Sequence, residues 1–176
     1  MAPLTIGTAT RDDLAPLHRL VESAYRGDSA RRGWTHEADL LDGQRIDAET
    51  LAEMLDDPAR RILVARDGPV LAGCVAVTDQ GKGSCYLGLL AVDPARQALG
   101  LGRQLIAAAE EVAQRRFAAR RIEMTVIVQR ATLIAWYERR GYRRTGEVRP
   151  FPHGDTRFGV PLDDALAFVV LARDLG

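Results

Sequence analysis

Cysteine, histidine and lysine are all scarce in this chain of 176 residues, which contains two, three and one of them respectively. Two cysteines are too few for a disulfide framework, and no group of cysteines and histidines has the spacing of zinc ligands. We therefore expect no metal site. Cys74 and Cys85 are expected to be small core residues of a reduced, cytoplasmic protein.

Neither sign of charge is in excess, because 24 basic side chains balance 24 acidic ones. A neutral chain has no overall field that would attract nucleic acid or an anionic membrane. Long apolar runs are also missing, so no segment is expected to cross a bilayer, and the first residues do not resemble a signal peptide. We expect one soluble domain over residues 1–176, with no nucleic-acid or membrane partner.

Apolar residues recur with a period of two in some segments and with a helical period in others. The first pattern predicts strands at residues 4–9, 84–92, 120–128, 142–148 and 166–174, and two strands within residues 60–79 that are joined by a tight hairpin at Asp67 and Gly68. The second predicts helices over residues 10–27 and 48–57, from residue 99 or 100 onward, and over residues 130–140. Residues 28–47 are expected to form a loop or a broken helix. This order predicts an α/β fold with a mixed, mostly antiparallel sheet of about seven strands flanked by four helices.

Two glycines, Gly100 and Gly102, stand where a predicted strand gives way to a predicted helix. The first turn of a helix has backbone N–H groups without partners, and the peptide dipoles add partial positive charge there. Glycine lets an anion such as a pyrophosphate approach these groups, and Arg103 could add a charged contact. The alternative is a tight strand-to-helix turn that binds nothing. Neither a GK[S/T] phosphate loop nor a GxGxxG dinucleotide motif is present.

Residues 89–106, LLAVDPARQALGLGRQLI, resemble the acetyl-CoA signature of the GNAT family of N-acetyltransferases. The core of that signature is Q/R-x-x-G-x-G/A, which here runs from Gln97 to Gly102. A second segment, residues 133–147, resembles the family pattern A-x-x-x-Y-x-x-x-G-F/Y through Tyr137 and Gly141, with Leu133 in place of the common alanine. The predicted order of strands and helices also fits the GNAT-type fold.

The resemblance implies an N-acetyltransferase that moves an acetyl group from acetyl-CoA to a primary amine by direct transfer in a ternary complex. The acceptor would be a small amine, an amino-acid-like metabolite or a peptide. The resemblance assigns cofactor contacts to the strand residues Leu90, Ala91 and Val92 and to the loop residues Gln97, Ala98, Leu99, Gly100, Leu101, Gly102 and Arg103. The competing interpretation is a non-catalytic CoA-binding or regulatory module on the same fold. The oligomeric state stays open, and a homodimer is one candidate.

The resemblance also assigns catalytic residues. Tyr137 fills the family's general-acid position, although a core tyrosine bonded to a carbonyl is the alternative. Arg130 stands where the family often has asparagine, so it either reaches the phosphates of the cofactor or is a solvated residue at a helix start. Glu123 is the first candidate for a general base and Glu22 the second, and a water relay would serve equally well.

Residues 35–57 contain eight acidic side chains and one basic one, a net charge of minus seven (one minus eight). In the family this region lines the acceptor groove, so an acidic wall would attract a cationic amine; a solvated helix face is the alternative. Trp34, Glu37 and His153 are the predicted acceptor contacts. For Trp34 the alternative is a cover over the sheet edge, and for His153 it is a surface position.

Overall fold

A computed structural model describes residues 3–33, 36–97, 99–152 and 159–176 of the chain. Its main feature is a seven-stranded sheet. In their order across the sheet, the strands are β1 (Thr5–Thr8), β3 (Arg60–Asp67), β4 (Val70–Asp79), β5 (Ser84–Val92), β6 (Arg121–Ile127), β9 (Ala167–Asp174) and β7 (Arg143–Pro150). Two short strands, β2 (Leu41–Asp42) and β8 (Val160–Pro161), pair separately. Only β5 and β6 are parallel neighbours in the seven-stranded sheet, which confirms the predicted fold class.

Helices cover both faces of this sheet. They are α1 (Leu14–Tyr25), α2 (Gly27–Arg31), α3 (Ala48–Asp56), α4 (Leu101–Phe117) and α5 (Ala131–Glu138). The four longer helices confirm the predicted ones, and α2 lies in the segment predicted as a loop or a broken helix. Asp47 caps α3, because its side chain accepts a hydrogen bond from the Thr50 amide at 2.6 Å. No helix in the described ranges has the length and apolarity to span a membrane.

Alternate side chains of the central strands enter two separate cores, as expected for a sheet covered on both faces. Leu63 of β3 packs in the core that contains α4 and α5, whereas its neighbour Val64 packs in the core that contains α1 and α3. Cys85 belongs to the first core and Cys74 to the second. Both thiols are buried, as the sequence predicts.

The sheet is open between its two central strands. β5 and β6 pair over three residue pairs only, from Ser84 opposite Arg121 to Tyr86 opposite Glu123. Beyond this point β5 stays with β4, where the register shifts between Cys74 and Ala76, and β6 stays with β9. Leu89 of β5, at the irregularity, has a positive φ of 54°. The C-terminal half of β5 therefore borders a cleft.

Candidate active site

The cleft beside β5 continues into a cavity of about 530 Å³ at the start of α4. Every predicted cofactor residue that the structure describes lines it: Leu90, Ala91, Val92, Gln97, Leu99, Gly100, Leu101, Gly102, Arg103 and Arg130. Ala98 lies outside the described residues. Strand, loop and helix start thus converge on one cavity, because a short turn joins the end of β5 to α4.

Gly100 gives the loop its shape. It is the N-cap of α4 and has a left-handed conformation with φ of 76°, which glycine adopts without strain. The next three amides, of Leu101, Gly102 and Arg103, begin the first helical turn and have no acceptor four residues earlier within the helix. The residues that carry these donors line the cavity at the positive end of a 17-residue helix.

Cationic side chains surround this helix start. Arg103 and Arg140 both line the cavity, and the Arg140 guanidinium lies 3.5 Å from the centre of the Trp136 ring. Burial lowers the pKa of Arg140, and the neighbouring Arg139 and Arg103 add to this effect. Sequence reasoning missed Arg140. It lies in the turn just after α5, where its amide donates to the carbonyl of Tyr137 at 2.9 Å, and its closeness to Tyr137 in the sequence is the signal that could have identified it.

A second cavity of about 270 Å³ lies between the separated strands β5 and β6. It shares Tyr25, Leu90, Arg130 and Tyr137 with the first cavity, so these four residues stand at the junction. The hydroxyl of Tyr25 donates to the carbonyl of Leu90, and burial raises the pKa of Tyr25 to about 12. The two cavities therefore meet at a neutral tyrosine pair beside the exposed edge of β5.

Tyr137 is the second tyrosine of that pair. Its side chain is buried in α5, and its ring makes edge contacts with Trp136 and Tyr142. Burial raises the pKa of Tyr137, with a smaller contribution from Tyr25, so the hydroxyl keeps its proton at neutral pH. Within the described ranges no hydrogen-bond partner of this hydroxyl is found, which removes the alternative of a tyrosine bonded to a carbonyl there.

Three arginines and one glutamate form a cluster on the second cavity. The side chains of Arg26, Glu37 and Arg130 are buried, and Arg45 is half-buried. The Glu37 carboxylate pairs with Arg26 and, at 3.2 Å, with Arg130. Arg45 lies over the Tyr25 ring, with its guanidinium 5.1 Å from the ring centre. Burial acts to raise the pKa of Glu37, but Arg130, Arg45 and Arg26 outweigh it and hold that pKa below its ordinary value. Glu37 is therefore ionised, and its charge is more than balanced.

Two interpretations from the sequence need correction. The alternative of a solvated Arg130 is wrong, because its side chain is 9% exposed and paired with Glu37. The acidic wall is also wrong: Asp39 pairs with Arg31 at the surface, and among described lining residues Glu37 is the one acid on the second cavity. Trp34 and His153 lie outside the described residues.

The two predicted general bases, Glu123 and Glu22, do not lie where the two cavities meet. Glu123 pairs with Arg149 at 3.2 Å and is absent from the described lining of both cavities. This pairing corrects its assignment as a catalytic base. Glu22 accepts hydrogen bonds from the amides of Arg45 and Ile46, at 2.7 and 2.9 Å, and so holds the backbone that carries Arg45.

The buried cluster yields a stability prediction. Glu37→Gln should lower the free energy of unfolding by about 3 kcal/mol, because two buried guanidiniums lose their counter-charge. Urea denaturation at pH 7 measures this. The matched control is Asp39→Asn, whose ion pair with Arg31 is exposed and whose loss should change stability little.

The difference in stability between wild type and Glu37→Gln should depend on pH. Because the folded-state pKa of Glu37 is depressed, its contribution is complete above its ordinary pKa and is lost as the pH falls through the folded value. The difference between wild type and Glu37→Gln should therefore shrink in acid. A difference that is absent at pH 7 would contradict a structural role for the cluster.

Comparison with known proteins supplies independent information. The model of the acetyltransferase (GNAT) family matches residues 18–142. A search of curated protein sequences gives no match.

Solved structures resemble the chain over nearly its full length. The ribosomal-protein-S18-alanine N-acetyltransferase of Escherichia coli has 17% identity and a TM-score of 0.71, with 99% of this chain and 95% of that chain covered. A Salmonella typhimurium protein assigned as an acetyltransferase and solved with its cofactor acetyl-CoA has 19% identity, a TM-score of 0.72 and the same coverage. A spermidine N-acetyltransferase chimera from Vibrio cholerae has 20% identity and a TM-score of 0.66, with 99% and 97% covered. The TM-scores establish a common fold, and at identities this low they establish nothing further about function.

Proposed function

The chain belongs to the acetyltransferase (GNAT) family, and from this premise we propose that it transfers the acetyl group of acetyl-CoA to a primary amine. The transfer would be direct, with both substrates bound together. One observation carries the proposal: the described residues of the cofactor signature line a single cavity, and that cavity meets a second one at Tyr137. Two reactants that enter from the two cavities would meet beside the tyrosine hydroxyl.

The first cavity suits the cofactor in both shape and charge. The amides of the first turn of α4, with Arg103 and Arg140, suit a pyrophosphate and a further phosphate. Along β5, the carbonyls of Leu90 and Val92 accept hydrogen bonds from the side chains of Tyr25 and Gln97. Beyond Tyr86, the side of β5 that faces away from β4 has no partner strand among the described residues, so this edge can pair with the amide groups of an extended ligand. When bound, acetyl-CoA supplies the thioester that the amine attacks.

Tyr137 has the role of general acid in this proposal. As the C–N bond forms and the C–S bond breaks, its hydroxyl gives a proton to the departing sulfur. Its raised pKa keeps that proton available before the reaction. The proton released by the amine passes to water in the second cavity, because Glu37, the one carboxylate among the described lining residues, is held as a weak base by three arginines.

The test is release of free CoA from acetyl-CoA in the presence of pooled acceptors: amino acids, polyamines, aminoglycosides and short peptides. Release above the acceptor-free background with any pool supports the proposal. Acetyl-CoA binding without release from any pool would contradict it and would favour a CoA-binding module that does not catalyse transfer. Mass spectrometry of the acceptor, with a gain of one acetyl group, separates transfer from simple thioester hydrolysis.

A further inference from the structure

The second cavity is positively charged, whereas the acidic residues 35–57 led us to expect a negative charge. Its described ionisable lining residues, tyrosines aside, are Arg26, Arg45, Arg130 and Glu37, so the formal charges sum to plus two (three minus one). Three tyrosines share this lining, and raised pKa values keep two of them, Tyr25 and Tyr137, neutral. A polycationic acceptor would be repelled from such a cavity, whereas an anionic group would be attracted.

Arg45 is the cation best placed to bind such a group. Within the described ranges its guanidinium has no carboxylate within ion-pairing distance, while Glu37 is shared between the other two arginines. The backbone of Arg45 is fixed by Glu22, and its guanidinium lies over the Tyr25 ring. A guanidinium held in this way presents a planar fork of donors that matches a carboxylate in two-point contact.

The rest of the lining is mostly apolar. It includes an aliphatic and aromatic group formed by Leu41, Ile127, Phe151 and Phe168, in which the two phenylalanine rings lie 5.5 Å apart. A volume of about 270 Å³ suits a small metabolite. Small volume, cationic cluster and apolar wall together describe a ligand with one acidic group and a hydrophobic side chain.

We propose that the acceptor is a small amino acid-like molecule whose carboxylate is bound by Arg45, with support from Arg26 and Arg130, and whose apolar side chain packs on the Phe151 and Phe168 wall. This inference rests on the proposed acetyl transfer and narrows its acceptor. The same cationic field disfavours the ammonium form of the bound amine. The site thereby supplies a neutral nucleophile without a dedicated carboxylate base.

The experiment compares kcat/KM for three free amino acids, leucine, methionine and phenylalanine, with kcat/KM for their carboxamides, and includes spermidine as a cationic acceptor. We expect at least one free acid to exceed its own carboxamide by about tenfold or more, since a charge-assisted contact is lost in the amide. Spermidine should be the poorest acceptor. Equal or better use of all three carboxamides, or a preference for spermidine, would overturn the inference while leaving acetyl transfer established.

Variants of Arg45 test whether this residue causes the preference for the free amino acid over its carboxamide. Arg45→Ala should raise KM for the free acid about tenfold and abolish the preference over the carboxamide, whereas Arg45→Lys should retain part of it. The matched control is Arg115→Ala, which removes an exposed arginine of α4 and should leave the preference intact. An unchanged preference in Arg45→Ala, with normal acetyl-CoA affinity as evidence of folding, would refute the assignment. Release of CoA with none of these acceptors, but with another of the pooled classes, would refute this inference alone. Release with no pool at all would refute acetyl transfer itself, and this inference with it.

Discussion

Replacing Tyr137 with phenylalanine should lower kcat by about 100-fold or more, because it removes the proton donor for the departing sulfur. The ring and its contacts with Trp136 and Tyr142 remain, so the affinity for acetyl-CoA should stay unchanged. Steady-state kinetics gives the first quantity and calorimetric titration the second. Since burial raises the pKa of Tyr137, ionisation of its hydroxyl should not reduce the wild-type kcat up to about pH 9.

Tyr142→Phe is the matched control for this substitution. It removes the hydroxyl of an adjacent buried tyrosine, which donates to Glu110 at 2.9 Å and lines neither cavity in the described part of the chain. Turnover in this variant should stay close to that of wild type. If Tyr137→Phe retained the wild-type kcat, Tyr137 would not be the acid, and water would be the next candidate donor.

Replacing Gly100 with valine should weaken CoA binding by about 100-fold or more. A branched side chain resists the left-handed conformation at this position, so the loop must rearrange and its amides lose their alignment with the pyrophosphate. Each hydrogen bond to a charged group contributes about 1.5–3 kcal/mol, and the loss of two such bonds accounts for the expected change. The measurement is the dissociation constant of CoA.

Gly81→Val separates this local effect from general strain. Gly81 has a φ of 77°, nearly identical to the 76° of Gly100, and a Cβ atom added there would meet no atom within 4 Å. The two substitutions should lower thermal stability by similar amounts, but only the one at Gly100 should affect CoA affinity. Wild-type affinity in Gly100→Val would exclude the loop as the pyrophosphate site.

The cofactor side of the site could be predicted from sequence because its residues are contiguous. Gln97 to Arg103 lie within one strand-loop-helix unit, so a local pattern is sufficient to bring them together. Tyr137 likewise sits on a short helix whose apolar face fixes its direction. Periodicity also identified the seven strands of the main sheet and the four longer helices, because most of these elements have one or two buried faces. The strands β1 and β7 are largely exposed and are the exceptions.

The acceptor side could not be predicted in the same way. Glu37 belongs to an acidic stretch, yet its partners Arg26 and Arg130 come from elsewhere, the latter from 93 positions along the chain. Local charge therefore gave the wrong sign for the cavity. Glu123 was misassigned for a similar reason, since Arg149 comes from β7, on the far side of β9. The pairing of β2 with β8 involves two residues per strand, too few to produce a period.

The opening between β5 and β6 leaves a seam in the middle of the sheet, with only three residue pairs to join the strands on either side. A ligand that pairs with the edge of β5 would lie in this seam and would form backbone hydrogen bonds that β6 does not form there. Its binding energy then adds to folding stability, by about 2.7 kcal/mol when the ligand is present at a hundred times its dissociation constant. With acetyl-CoA as the ligand, as proposed, the protein would thus resist unfolding better when its cofactor is bound.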